Sequence, residues 1–317
     1  MPSIATHHVF ADMVLKKLDD KVKNKFIQEI DIYHTFAQSH DYLYYSFNKK
    51  IKKIGSLGHH TKTQAYLLNI VQEIIDKKLE NNPECIAYLY GSITHYILDA
   101  VCHPYIFYKT GSYHKGDPDR LKYRNKHTHI EKQLDAIYYT MYYKKPYFTV
   151  NINKEIIKNP RFSEDLENLI SDVYLKTYNY PNIGKIYQTC IKQAKFINRA
   201  FVNDRIGYKY SIAKFINKFT KSHPEYYTTF IKEPIMDYLN TERKTWNHPC
   251  DKNETYNYSF NDLIRISEEK TINIINKLHE CIYKTKKVDS LKKVILELDY
   301  ATGYDTSDDR IMKYFEY

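Results

Sequence analysis

An all-α fold is what this sequence predicts, on three observations. Apolar residues recur at helical spacing from one end of the chain to the other, no stretch keeps the two-residue alternation of a strand, and only 8 glycines and 10 prolines interrupt 317 residues. Helix interiors tolerate neither residue well, and a period of 3.6 against a period of 2 is the main signal separating the two elements. A chain of this length can bury a sizeable core. It carries no internal repeat or linker, so a single multi-helix domain over 1–317 is expected.

The elements follow in order. Thr6 caps a first helix running to about Leu18, with Phe10, Met13, Val14 and Leu18 turned inward, and a second covers roughly Asp20 to Tyr33. The stretch "AQSHDYLYYSF" is aromatic and aperiodic and reads as a buried connection. Thr61 caps a helix whose Leu67, Leu68, Val71, Ile74, Ile75 and Leu79 form a stripe of period 3.6. Asn82-Pro83 pairs an N-cap with a first-turn proline. It opens the helix holding "CIAYLYGSITHYILDAVCHPYIF", which Pro104 is expected to end. The polar loop "KTGSYHKGDPDRLKYRN" has turn chemistry, and a helix starts near Lys126 with "KHTHIEKQLDAIYYTMYY". Further helical patterns lie at about 153–158, 163–178, 182–204, 208–220, 225–240, 260–285 and 288–298.

Composition narrows the class of protein. The net charge of +10 favours anionic partners, but the lysines are spread along the chain and read as a solvated surface rather than a nucleic-acid patch. Five cysteines, an odd number without CxxC spacing, argue against a disulfide framework and for a reducing compartment. The N-terminus lacks a basic segment followed by a long apolar one, and no 18-residue apolar run occurs. A soluble, cytoplasmic protein without signal peptide or transmembrane segment is therefore expected.

The histidines carry the chemistry. Eleven of 14 lie in residues 1–129. His95, Asp99 and His103 follow one another at four-residue steps inside an apolar helix. Such positions drift only about 80° around the axis, so all three share a face. His127, Glu131 and Asp135 repeat the pattern on the next helix, while His129 points about 200° away. Ionisable groups among Ile93, Ile97, Leu98 and Val101 are costly to bury unless paired. The bland alternative is a buried His–Asp ion pair; the sharper one is a metal, because neutral imidazole and carboxylate are standard zinc ligands. With His7, His8, His40, Asp41, His59 and His60 upstream, the candidates are too many for one tetrahedral ion and suit a cluster of two or three. Cys102, three residues after Asp99, is read as core packing. His34, His114, His223, His248 and His279 have no partnering pattern.

These residues make the sequence resemble the zinc-dependent phospholipase C family, which shares its fold with the S1/P1-type nucleases. The resemblance is carried by "THHVF", the "HDY" of 40–42, "GSLGHH", "GSITHYILDAVCHPYI" and "HTHIEKQLD", with "YLNTERKTWNHP" and "LDYATGYD" extending it towards the C-terminus. It implies a metal-site core at about 1–145 and a helical remainder at about 146–317. It implies that one zinc is held by Asp41, His59 (or His60), His95 and Asp99, and a second by His103, His127 and Glu131. A third would use His7, with Asp99 bridging. Tyr42, beside Asp41, matches a family tyrosine that lines the headgroup pocket. Secreted members use an N-terminal tryptophan at the third zinc. The only tryptophan here is Trp246, and removal of Met1 would leave the Pro2 amine instead.

The implied activity is hydrolysis of a glycerophospholipid to diacylglycerol and a phosphorylated headgroup by a metal-activated water, with Asp41 as the catalytic carboxylate. The substrate partner is a phospholipid, met at a membrane surface. Nucleic acid ranks behind it, as a nuclease or nucleotidase on the same zinc cluster. A metal-stabilised protein without turnover is the remaining alternative.

Overall fold

A computed structural model describes residues 4–113, 119–220 and 222–316. His114, Met1 and Pro2 lie outside the described residues, as does the middle of the polar loop. Helix accounts for 67% of the chain, and one two-stranded sheet is found among the described residues. The chain is all-α.

The N-terminal helix α1 (Ile4–Lys17) begins two residues before Thr6. Thr6 is not its cap; its N–H donates to Asp135 Oδ1 at 2.8 Å, a distant partner that local pattern cannot reveal. The helix expected over Asp20 to Tyr33 is broken into α2 (Asp20–Lys23), a 3₁₀ turn (Ile27–Glu29) and α3 (Ile30–Phe36). The break falls at Phe26, whose ring is fully buried between Tyr33 and Tyr90. The aromatic connection is buried as expected and holds one short turn, α4 (Asp41–Tyr44).

Helix α5 (Lys49–His60) had no counterpart in the apolar pattern. Two glycines obscure it, and packing requires both. A Cβ on Gly58 would sit 2.5 Å from His40 Nδ1, and one on Gly55 would sit 3.0 Å from Leu43 Cβ. Thr61 ends α5 rather than opening the next helix. Helix α6 (Thr63–Asp76) is capped from the far end of the chain, with Glu297 accepting from Thr63 N at 2.7 Å and Gln64 N at 3.0 Å.

The centre of the molecule is α7 (Pro83–Thr110), capped by Asn82 as expected and buried all round over most of its length, the mark of a core helix. It passes through Pro104 instead of ending there. Pro104 has no N–H for the Ala100 carbonyl, and Gly303, at φ +69°, packs against that carbonyl. A Cβ at 303 would meet it at 2.4 Å. Around α7 pack α1, α3, α6, α8 (Arg120–Tyr143) and α13 (Phe260–Glu280), the last opened by a capping box between Ser259 and Asp262. Helix α8 starts six residues before Lys126, inside the expected loop.

The remaining helices are α9 (Ile152–Glu155), α10 (Glu164–Tyr178, capped by Ser163), α11 (Ile183–Ile197) and α12 (Tyr208–Thr220). Over 225–240 the expected helix is replaced by two 3₁₀ turns (Pro224–Tyr227 and Met236–Leu239), in keeping with prolines at 224 and 234. Another 3₁₀ turn (Val288–Lys293) stands for the pattern at 288–298. Strands β1 (Trp246–His248) and β2 (Asp251–Tyr256) form an antiparallel hairpin that the sequence reading missed; Trp246 lies opposite Tyr256.

Buried apolar side chains from Ile4 to Tyr300 form one contiguous cluster. Tyrosine dominates its large members, and the hydroxyls find partners: Tyr66 with Tyr88, Tyr96 with the Leu296 carbonyl, Tyr105 with the Tyr238 carbonyl. Much of the tyrosine content is therefore core. All five cysteines are buried and free, and Cys102 packs in the core beside Ser267.

Candidate metal centre

Five elements bring their polar residues to one point beside α7. Helix α7 projects His95, Asp99 and His103; α8 projects His127 and Glu131; α1 supplies His7, α4 Asp41 and α5 His59. His7 Nε2 lies 3.1 Å from Asp99 Oδ1, and His95 Nε2 lies 3.5 Å from Asp99 Oδ2. His59 Nε2 is 3.0 Å from Asp41 Oδ1 and 3.4 Å from His95 Nε2. On the other side, Glu131 Oε1 is 3.2 Å from His127 Nε2 and 3.5 Å from His103 Nε2, and His103 Nδ1 is 3.5 Å from Asp99 Oδ1. His7, Asp41, His95 and Asp99 thus form one group with ligand atoms mutually within 4.8 Å, and His103, His127 and Glu131 form a second. Asp99 stands between them.

The donor set fits zinc. Bonds of 2.0–2.1 Å in tetrahedral geometry place ligand atoms about 3.3 Å apart, and the contacts above scatter around that separation. The hydrogen bonding points the same way. His59 Nδ1 donates to the Gly55 carbonyl at 2.7 Å, which leaves Nε2 facing the Asp41 carboxylate. His103 Nδ1 likewise donates to the Tyr300 carbonyl at 3.0 Å, aiming Nε2 at Glu131. Ligating histidines are commonly oriented this way through their second nitrogen. Asp41 Oδ2, Asp99 Oδ2 and His95 Nδ1 are buried with no hydrogen-bond partner. Buried carboxylate oxygens left so are costly unless a cation meets them.

The electrostatics follow from burial and proximity. Burial raises the Asp41 carboxyl, against the pull of His59. Burial would also raise Asp99 and Glu131, but the facing imidazoles outweigh it and hold both well below the usual carboxylate range. Desolvation keeps His95 far below its ordinary value, and lowers His127 in spite of Glu131. His103 goes the other way: burial is overcome by Asp99 and Glu131, which push it up to about 9.

A family model for zinc dependent phospholipase C matches residues 6–180 of the 317. The chain belongs to the zinc-dependent phospholipase C family. It is a zinc-dependent phospholipase C-like hydrolase with a helical fold and His/Asp groups able to hold metal. The match takes in His7 to Glu131 and ends just after α10. No curated protein and no solved structure matches this phospholipase C family member. Among its described residues, no helix is long and apolar enough to cross a membrane.

The structure separates residues that the sequence left level. His59 faces the cluster, whereas the neighbouring His60 pairs with Asp299 Oδ2 at 2.7 Å and is exposed. Asp135 does not reach the cluster. It accepts from Thr6 N and Oγ1 and from Lys132, and so holds the start of α1 in place. His129 packs against Tyr226 with the rings tilted by 41°, away from the site as expected. Tyr42 is a correction: it is buried against Tyr45 and Tyr187, and the cavity wall is formed by Tyr44 and Tyr45 instead. Successive residues of the short α4 point in different directions, and adjacency to Asp41 turns Tyr42 inward. Tyr300 was missed. Its N–H donates to the His59 carbonyl, its carbonyl orients His103, and its ring lies 5.2 Å from that of His59. Only its place in "LDYATGYD" marked it.

The cluster floors a cavity of about 570 Å³. Asp41, His59, Asp99, His103, His127 and Glu131 line its base, and Tyr44, Phe107 and Tyr113 its walls. Lys52, Arg120 and Arg124 also line it, none of them foreseen, because each looks like an ordinary surface cation in the sequence.

Proposed function

We propose that this enzyme hydrolyses the phosphodiester of an anionic glycerophospholipid at a membrane surface, yielding diacylglycerol and a phosphorylated headgroup. The observation that carries this reading is the pairing of a buried carboxylate–imidazole floor with three cations, Lys52, Arg120 and Arg124, in one cavity. Bound zinc would supply a water of lowered pKa and a positive field on the phosphoryl oxygens. In this reading Asp41, His59, His95 and Asp99 hold one ion, His103, His127 and Glu131 a second, and His7 with Asp99 a third. Asp41 lines the cavity and takes the proton of the attacking water. As the water oxygen bonds to phosphorus, the bond from phosphorus to the glycerol oxygen breaks, and that oxygen takes a proton from solvent and leaves as the alcohol. Lys52, Arg120 and Arg124 orient the phosphate and an acidic headgroup beyond it.

Helix α12 supports the membrane part of the proposal. Tyr208, Ile212, Phe215 and Phe219 recur at helical spacing on its outer face, with Phe215 59% and Phe219 76% exposed. Lys209, Lys214 and Lys218 flank the stripe. An apolar face edged by lysine is suited to lie at the interface of an anionic bilayer. Two links join this region to the cavity: Ile197 lines the cavity next to exposed Phe196 in the chain, and α8, which contributes Arg124, is tied by Asn125 to the Ser222 carbonyl just after α12.

The test compares wild type with a Phe215→Ser/Phe219→Ser variant on phosphatidylglycerol vesicles, phosphatidylcholine vesicles, a monomeric short-chain lipid and single-stranded DNA. Faster diacylglycerol release from phosphatidylglycerol is expected. The variant should lose at least about tenfold on vesicles and nothing on the monomeric lipid. Cleavage of DNA without lipid hydrolysis by the zinc-loaded enzyme would replace this reading with the nuclease. Equal vesicle rates in the two proteins would remove α12 from it.

A further inference from the structure

We propose that His8, Asp12 and His34 form a separate site for a divalent transition-metal ion of the zinc class, which tethers α1 to α3. Successive residues of a helix point about 100° apart. His7 therefore faces the catalytic cluster while His8 faces another groove, and Asp12, four residues on, shares the face of His8. Helix α3 brings His34 to the same point. One nitrogen from each histidine and one Asp12 oxygen lie mutually within 4.8 Å. His34 Nε2 is 2.8 Å from Asp12 Oδ1, and the two imidazole rings are 4.1 Å apart between centroids.

Two further observations point to a ligand. His8 and His34 are only 6% and 8% exposed, and the Nδ1 atom of each is buried with no hydrogen-bond partner. A simple His–Asp pair would need neither the second imidazole nor leave two nitrogens unsatisfied. The Tyr143 hydroxyl donates to Asp12 Oδ2 and so fixes the carboxylate from behind, as outer partners do at metal sites. Two imidazoles and one carboxylate are a borderline-soft donor set that suits zinc and its neighbours rather than magnesium or calcium. The site opens on its own cavity of about 490 Å³, so a fourth position is available to water or to an anion drawn by Lys158 at the rim. This cavity shares no lining residue with the one above the catalytic cluster.

The deciding experiment is anomalous diffraction at the zinc edge from crystals of the wild-type protein equilibrated with zinc chloride, joined to elemental analysis of wild type and His34→Ala. A peak about 2.0–2.2 Å from His8, Asp12 and His34 is expected. His34→Ala should hold one equivalent of zinc less while hydrolysing lipid within twofold of wild type. Absence of the peak overturns the proposal whether or not the variant folds. Equal zinc content in a folded His34→Ala protein overturns it as well.

Discussion

Replacing Asp41 with Asn changes one charge and almost no volume, which makes it the sharpest probe of the proposed chemistry. Asp41 lies 3.0 Å from His59 through Oδ1, while Oδ2 is buried without a hydrogen-bond partner. Oδ1 is thus engaged by His59, Oδ2 is left for a metal ion or the attacking water, and the side chain also lines the cavity. Asn retains one carbonyl oxygen as a ligand but brings an NH₂ group to the other position and cannot accept a proton at neutral pH. Loss of a positioned base is worth about 10²–10⁴-fold, or about 3–5 kcal/mol of transition-state stabilisation. Release of diacylglycerol from anionic vesicles should fall by that factor, with zinc measured on the same sample so that lost metal and lost chemistry are told apart. His34→Ala is the matched control, since it lies outside the catalytic cavity. An Asp41→Asn enzyme that kept its zinc and turned over at near the wild-type rate would refute the assignment of Asp41.

Asp99→Asn should strip zinc from the protein while Asp135→Asn should not, because Asp99 touches His7, His95 and His103 whereas Asp135 secures Thr6 and Lys132. The Asp135 variant should instead melt earlier, by an amount set by about 1–3 kcal/mol of lost charge-assisted hydrogen bonding; equal zinc loss in both would overturn the distinction. The fall in stability with rising pH that His103 causes should disappear when metal binds. In the metal-free protein Asp99 and Glu131 overcome burial and raise His103 to about 9. Its contribution is then complete below the unfolded value of about 6.5 and is lost as pH rises through about 9. Zinc requires the same imidazoles unprotonated, so in the loaded protein His103 has no proton to lose and its contribution should stay level over that window. Thermal melts between these pH values should show a falling curve with chelator and a level one with zinc, and parallel curves would count against the site.

What the sequence determined by itself is whatever a single helix can express. His95, Asp99 and His103 share a face of α7, and His127 and Glu131 share a face of α8, because helical periodicity is local and four-residue steps align side chains whatever lies beyond. The capping of α7 by Asn82 was legible as a local signal too. The family motifs added the convergence of His7, Asp41 and His59, but did not choose between His59 and His60, and they singled out Tyr42 over its neighbours. Tertiary structure decided those points. His60 is drawn off by Asp299, 239 residues away, and Tyr42 is claimed by the core. The glycines of α5 weaken its helical signal, yet His40 and Leu43 press against them so closely that no side chain fits. Pro104 should end a helix by local rules, but α7 continues beneath Gly303. Lys52, Arg120 and Arg124 became a cavity lining, and Tyr300 a support for His59 and His103, only through contacts between distant parts of the chain. Such contacts leave no periodic trace in sequence, since the burial and pairing that fix them come from residues far away along the chain.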